Sequence, residues 1–134
     1  PMAAESSKSL TGVWTGMYTY PNSGEPIFFT ASLIESGSLV TGTTHETCAT
    51  IDSPRTTLHA MLSGSRGEGY VVFTKEYDGS GGWSHTVEYD GMLNGEATEI
   101  EGHWNINGLL AGRFMMMRNP GKQVAVKREV LEKV

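Results

Sequence analysis

The sequence predicts an all-β fold, an eight-stranded antiparallel up-and-down β-barrel with a short C-terminal helix. Three observations carry this. The 134-residue chain divides into eight segments of similar length, rich in aromatic and β-branched residues and separated by Gly, Asn, Asp, Pro and Ser clusters. No stretch among them has the length and period of a helix. Glycines sit inside the segments at Gly16, Gly42, Gly64, Gly102 and Gly112, where a strand can bend sharply. A flat eight-stranded sheet exposes two edges and leaves one face without a partner, and closure removes both problems. A two-sheet sandwich is the alternative use of the same strands.

The elements follow in order. Residues 1–9 are small and polar and are predicted to be disordered, with Pro1 read as a tag-cleavage scar and Met2 as the natural start. The barrel is expected over 10–118 and a tail over 119–134. Strand one, Leu10 to Tyr20, places Trp14, Gly16, Tyr18 and Tyr20 on one face, since alternate side chains share a side. Pro21 to Pro26 is dense in turn formers and leads into strand two, Ile27 to Glu35. Ser36-Gly37-Ser38 turns into a Thr-rich strand three, Leu39 to Thr50. Asp52 to Arg55 breaks the chain before strand four, Thr56 to Ser65, and Gly67-Glu68-Gly69 turns into strand five, Tyr70 to Tyr77. Asp78-Gly79-Ser80-Gly81-Gly82 is a hairpin signal, followed by strand six from Trp83 to about Tyr89 and as far as Leu93. Strand seven covers Glu99 to Ile106. Asn107-Gly108, suited to a type I′ turn, connects it to strand eight, Leu109 to Arg118. Past Asn119-Pro120-Gly121, Val126, Val130 and Val134 lie one helical turn apart. Glu76-Tyr77-Asp78-Gly79 recurs as Glu88-Tyr89-Asp90-Gly91, read as two sheet-edge turns.

Composition narrows the function. The net charge is −5, and four of the ten basic residues follow Gly121. The first 121 positions therefore hold six basic against thirteen acidic residues, a surface that repels phosphate backbones and argues against nucleic acid. No apolar run approaches the ~18 residues of a membrane span. Cys48 is the only cysteine, so the chain forms no internal disulfide and no thiolate-rich zinc site, which fits a cytoplasmic location.

Gly12-Val13-Trp14 at the start of strand one, the eight-strand meander and a basic residue ending the last strand resemble the calycin superfamily of lipocalins, fatty-acid-binding proteins and avidins. The resemblance implies that a late arginine, Arg118 before Arg113, packs across Trp14 and closes one barrel end. It also implies a helix after the barrel. The chain departs from the avidin pattern, because Thr15-Gly16-Met17-Tyr18 lacks the asparagine and serine that bind biotin. Lipocalin disulfides are missing. His103, the candidate for a nitrobindin-like haem ligand, points outward with Glu99, Glu101 and Asn105. No cofactor is expected.

Strand six is the most informative for chemistry. Trp83, His85, Val87 and Tyr89 share a face opposite the polar set Ser84, Thr86, Glu88 and Asp90, so the first set turns inward. The candidate ligand contacts are Tyr18, Tyr20, Trp83, His85, Tyr89, Trp104 and Phe114. Each aromatic taken alone is better explained by core packing than by ligand contact. Together they place several polar groups inside a small barrel, where buried hydroxyls and imidazoles need partners that a ligand or waters could supply. His45-Glu46-Thr47-Cys48 has metal-ligand residues but puts His45 and Cys48 on opposite faces, so no metal site is expected. Met115-Met116-Met117 alternates faces, leaving some methionine outside as an oligomer interface or the seat of the C-terminal helix.

The leading expectation is a barrel that binds one small, largely apolar or aromatic molecule. A barrel enzyme of cyclase or isomerase type, with His85 and Tyr89 as acid–base groups, is the second. A protein-binding barrel such as an inhibitor, with a packed interior, is the third.

Overall fold

A computed structural model describes residues 8–22, 24–48, 56–79 and 86–118. They form eight strands: β1 (Gly12–Thr19), β2 (Ile27–Ser36), β3 (Leu39–Cys48), β4 (Thr56–Arg66), β5 (Tyr70–Tyr77), β6 (Thr86–Leu93), β7 (Glu99–Ile106) and β8 (Leu110–Met117). Each pairs antiparallel with its neighbour in sequence, and β1 pairs with β8 from Thr15–Met117 to Thr19–Arg113, closing the barrel. The fold is all-β, compatible with a calycin-like barrel. No helix among the described residues is long and apolar enough to cross a membrane. Trp83 and His85, and the helix expected over 119–134, lie outside the described residues.

Strict alternation explains which side chains fill the barrel. On β6, Val87, Tyr89, Gly91 and Leu93 are buried and Thr86, Glu88, Asp90 and Met92 are exposed. The second Glu-Tyr-Asp-Gly copy therefore lies inside a strand and is not a sheet-edge turn. Gly91 faces inward, where a Cβ would come within 2.7 Å of Ile100 and 2.9 Å of Phe114. The absent side chain leaves room for the Phe114 ring, which is why strand six continues through a sequence that resembles a turn. On β8, Met116 is fully buried while Met115 is half-buried and Met117 exposed. Met17, Phe28, Met115 and Met117 are brought side by side on the outside by the β1–β2 and β1–β8 registers.

The two barrel ends differ. One end carries the short connections 37–38, 67–69 and 94–98, and the other the connections 20–26, 49–55, 78–85 and 107–109. The first end is closed by the chain entering β1. Trp14 is fully buried and its indole N–H donates to Leu10 O at 2.9 Å. The Arg118 guanidinium lies 4.6 Å from the Trp14 ring and donates to the carbonyls of Thr11 at 2.8 Å, Ala97 at 3.1 Å and Ser9. Arg66 holds the same segment through Lys8 O at 2.6 Å and pairs with Glu35 at 3.1 Å, whose carboxylate also accepts from Leu10 N–H. Two arginines from distant strands thus strap residues 8–11 across the end, so that Lys8 and Ser9 belong to the ordered end. Arg113, on the outer face, is exposed.

Trp14→Ala is expected to lose about 3–5 kcal/mol of stability, the usual consequence of emptying a core aromatic site. Arg118→Ala should lose about 1–3 kcal/mol through the ring contact and the charged hydrogen bonds. Urea unfolding of the three proteins side by side checks both values.

Candidate functional site

The end of the barrel opposite the Trp14 closure carries the buried polar cluster. Three inward positions converge on one carboxylate: Tyr18 from β1, and Lys75 and Tyr77 from β5, meet Glu46 from β3. Tyr18 donates its hydroxyl to Glu46 Oε2 at 2.6 Å, and Tyr77 donates to Oε1 at 2.9 Å. Lys75 Nζ reaches the same Oε1 at 3.4 Å, with both charged side chains 2 % exposed or less. The hydroxyl of Tyr18, expected to look to a ligand or water, finds this carboxylate instead, as does that of Tyr77.

Burial sets the protonation of the cluster. Desolvation is the largest influence on Lys75 and lowers its pKa, opposed by attraction to Glu46. Desolvation pushes the Tyr18 hydroxyl far above the ordinary phenol range, helped by the neighbouring Glu46 carboxylate. Tyr77 is raised for the same two reasons, and Tyr89 by burial, then Tyr77 and Glu46. All three phenols are proton donors at neutral pH. The ammonium sits among ring faces, 4.8 Å from Phe29, 4.9 Å from Tyr18, 5.0 Å from Tyr77 and 5.4 Å from Tyr89. Thr44, one inward step from Glu46 on β3, is buried, and its hydroxyl has no partner among the described residues.

Above the cluster lies the mouth. Tyr18, Tyr20, Tyr77, Val87, Tyr89, Trp104 and Ile106 surround a void of about 10 Å³, the space of a single water. Of the sequence-predicted contacts, Tyr18, Tyr20, Tyr89 and Trp104 meet here. Tyr20 stands edge-on to Trp104 at 5.1 Å, and the Trp104 indole N–H donates to Thr19 O at 3.1 Å. Phe114 sits deeper, edge-on to Tyr89 at 4.8 Å, and lines no part of the void.

A groove lies on the wall between β2 and β3. The β2–β3 ladder ends at Thr30–His45, although β2 continues pairing with β1 to Ile27 and β3 with β4 to Cys48. The two strands splay there, and a groove of about 500 Å³ forms, lined by Thr15, Pro26, Ile27, Phe28, Phe29, Thr30, His45 and Glu46. Its lining takes Phe28 and His45 from the outer face and Phe29 and Glu46 from the inner, so its floor adjoins the buried cluster, whose side chains stay buried.

Sequence reasoning missed Glu46 and Lys75. Lys75 was accessible to it, because Val71, Phe73, Lys75 and Tyr77 alternate with Val72, Thr74 and Glu76, and the two aromatics mark the inward set. Glu46 offered no such signal, since both faces of β3 are polar at that end, with Thr43 and His45 against Thr44 and Glu46. Among the described residues, no group of three or more His, Cys, Asp or Glu is placed to hold a metal ion. His45 and His59, cross-strand partners on the outer face, have ring centres 6.3 Å apart.

No protein-family profile matches this chain, and none of the curated proteins compared with it is similar in sequence.

Lys75→Met leaves the Glu46 carboxylate buried without its cation and is expected to lose about 3–5 kcal/mol. A Glu46→Leu, Lys75→Met double variant should lose less than the two single variants added together, read from urea midpoints. The pH dependence has a definite sign. Tyr18, Tyr77 and Tyr89 ionise near 10 when unfolded and much higher when folded. Their contribution is fully present below pH 10 and is lost as pH rises toward the folded values, because only the unfolded chain releases those protons. Stability measured from pH 9 to 11.5 should fall more gently in Tyr18→Phe than in the wild type.

Proposed function

We propose that this protein binds one small, largely apolar or aromatic molecule, entering where β2 and β3 part and lying against Phe28 and Phe29 with its polar end toward Glu46. The observation that carries this reading is the early end of the β2–β3 ladder at Thr30–His45, which leaves a groove of ligand size on the wall against a buried charged cluster. The water-sized mouth void favours entry through the wall over entry along the barrel axis. His85 and Trp83, outside the described residues, remain candidate ligand contacts. A single cysteine, Cys48, accords with work in the cytoplasm, and the calycin resemblance with a carrier role.

A barrel enzyme of cyclase or isomerase type is the second reading. It draws support from one carboxylate that accepts two phenolic protons next to an ammonium, a set able to move a proton within a dry interior.

Titration with 1-anilinonaphthalene-8-sulfonate tests the binding reading. One saturable site per chain is expected, weakened at least tenfold by Phe28→Glu, an exposed groove residue whose change spares the core. Val13→Glu, also on the outer surface but outside the groove, should bind like the wild type. Absence of a saturable site, or equal weakening in both variants, would overturn the reading.

A further inference from the structure

Behind the inner lining of the groove lies a buried lysine, Lys75. We propose that Lys75 is a carbonyl-capturing lysine, forming an imine with an aldehyde-bearing apolar molecule that enters between β2 and β3. This rests on the binding reading above and adds the chemical class of the ligand.

The geometry supplies each requirement. Phe29 and Glu46 form the inner wall of the groove, and both touch the Lys75 ammonium, at 4.8 Å to the ring centre and 3.4 Å to Oε1. Lys75 is therefore the first nucleophile behind that wall. Its ammonium has three protons to donate but a single acceptor among the described residues, the distant Glu46 Oε1. Four aromatic rings stand where water or further oxygens would otherwise solvate it. An ammonium so poorly solvated readily gives up a proton, and desolvation of a lysine in an apolar pocket is the general route to an amine nucleophile. The lowered pKa of Lys75 points the same way. A purely structural role gives a weaker account. A buried ion pair seldom improves on apolar packing, and here the pair is long while the better hydrogen bonds to the carboxylate come from Tyr18 and Tyr77.

The chemistry balances with the groups present. Lys75 passes one proton to Glu46, and the freed amine attacks the aldehyde carbon, forming the C–N bond. The carbonyl oxygen takes the proton from the Glu46 carboxyl to give a carbinolamine. Glu46 then accepts the second proton from nitrogen and delivers it to the hydroxyl, which leaves as water while the C=N bond forms. Two of the three ammonium protons end in that water, the third stays on the nitrogen of the protonated imine, and Glu46 returns as the carboxylate. Tyr18 and Tyr77, donating to Glu46 throughout, hold it in position for both transfers.

The test uses the intact chain, cinnamaldehyde as probe and sodium cyanoborohydride at pH 7 to reduce any imine to a stable amine. Peptide mapping of the wild-type chain locates the label, so no variant has to fold. Lys75 is expected to be labelled at least tenfold faster than the exposed Lys8, and Phe28→Glu should slow Lys75 labelling about tenfold while leaving Lys8 unchanged. Labelling of Lys8 without Lys75, in a protein that still binds 1-anilinonaphthalene-8-sulfonate at the groove, overturns the imine proposal alone. Loss of both the dye site and the Lys75 adduct overturns the imine proposal together with the binding reading.

Discussion

The Glu46 carboxylate is the group on which the interior depends. It accepts from Tyr18 on β1 and from both Tyr77 and Lys75 on β5, so a single side chain ties three strands that share no common ladder. A carboxylate in a dry barrel is tolerable only with several donors in good geometry. The two phenols meet that need, at 2.6 and 2.9 Å. Lys75 balances the charge from 3.4 Å and is left the least satisfied member. The anion is thus held by hydrogen bonds and the cation mainly by ring faces, an asymmetry on which the proposed role of Lys75 rests.

The two ends of the barrel divide the work. At one end residues 8–11 are laid across the opening and strapped by Arg66 and Arg118, with Trp14 filling the space beneath. Short turns hold that end, and Asn94 braces one of them by accepting from the Thr98 and Glu99 amides at 2.8 and 2.9 Å. At the other end three of the four connections are longer, aromatic rings nearly close the axial mouth, and a groove lies between β2 and β3. Glycine shapes this wall as well. Gly16 lies under the Phe29 ring, which a Cβ would meet at 2.2 Å, so Phe29 can lie flat across β1 beside the Lys75 ammonium. The inner wall of the groove exists because a strand-interior residue has no side chain.

Much of the fold was legible because barrel strands advertise themselves twice, by period-two alternation and by the turn residues between them. The β5 and β7 limits coincide with the expectation, and Asn107-Gly108 adopts positive φ at both positions, as a type I′ turn requires. The repeated Glu-Tyr-Asp-Gly was misleading because a glycine that admits a ring and a glycine that makes a turn are the same letter. In the site, the aromatic members Tyr18, Tyr20, Tyr89 and Trp104 could be read from alternation, since large rings have one favourable side of a half-buried strand.

What the sequence determined by itself was local: eight strands, their faces, the order that closes them into a barrel, and an interior too aromatic and polar to be an ordinary aliphatic core. Tertiary structure alone decided the chemistry. Whether Glu46 is a solvated surface acid or a buried acceptor depends on which strand lies across the barrel from it. Residues 18, 46, 75 and 77 are brought together by the registers of ladders that no one of them can report. The groove beside them has the same origin, because a ladder ends where the curvature of closure pulls two strands apart. That is a property of the whole circuit of eight strands and of no single segment.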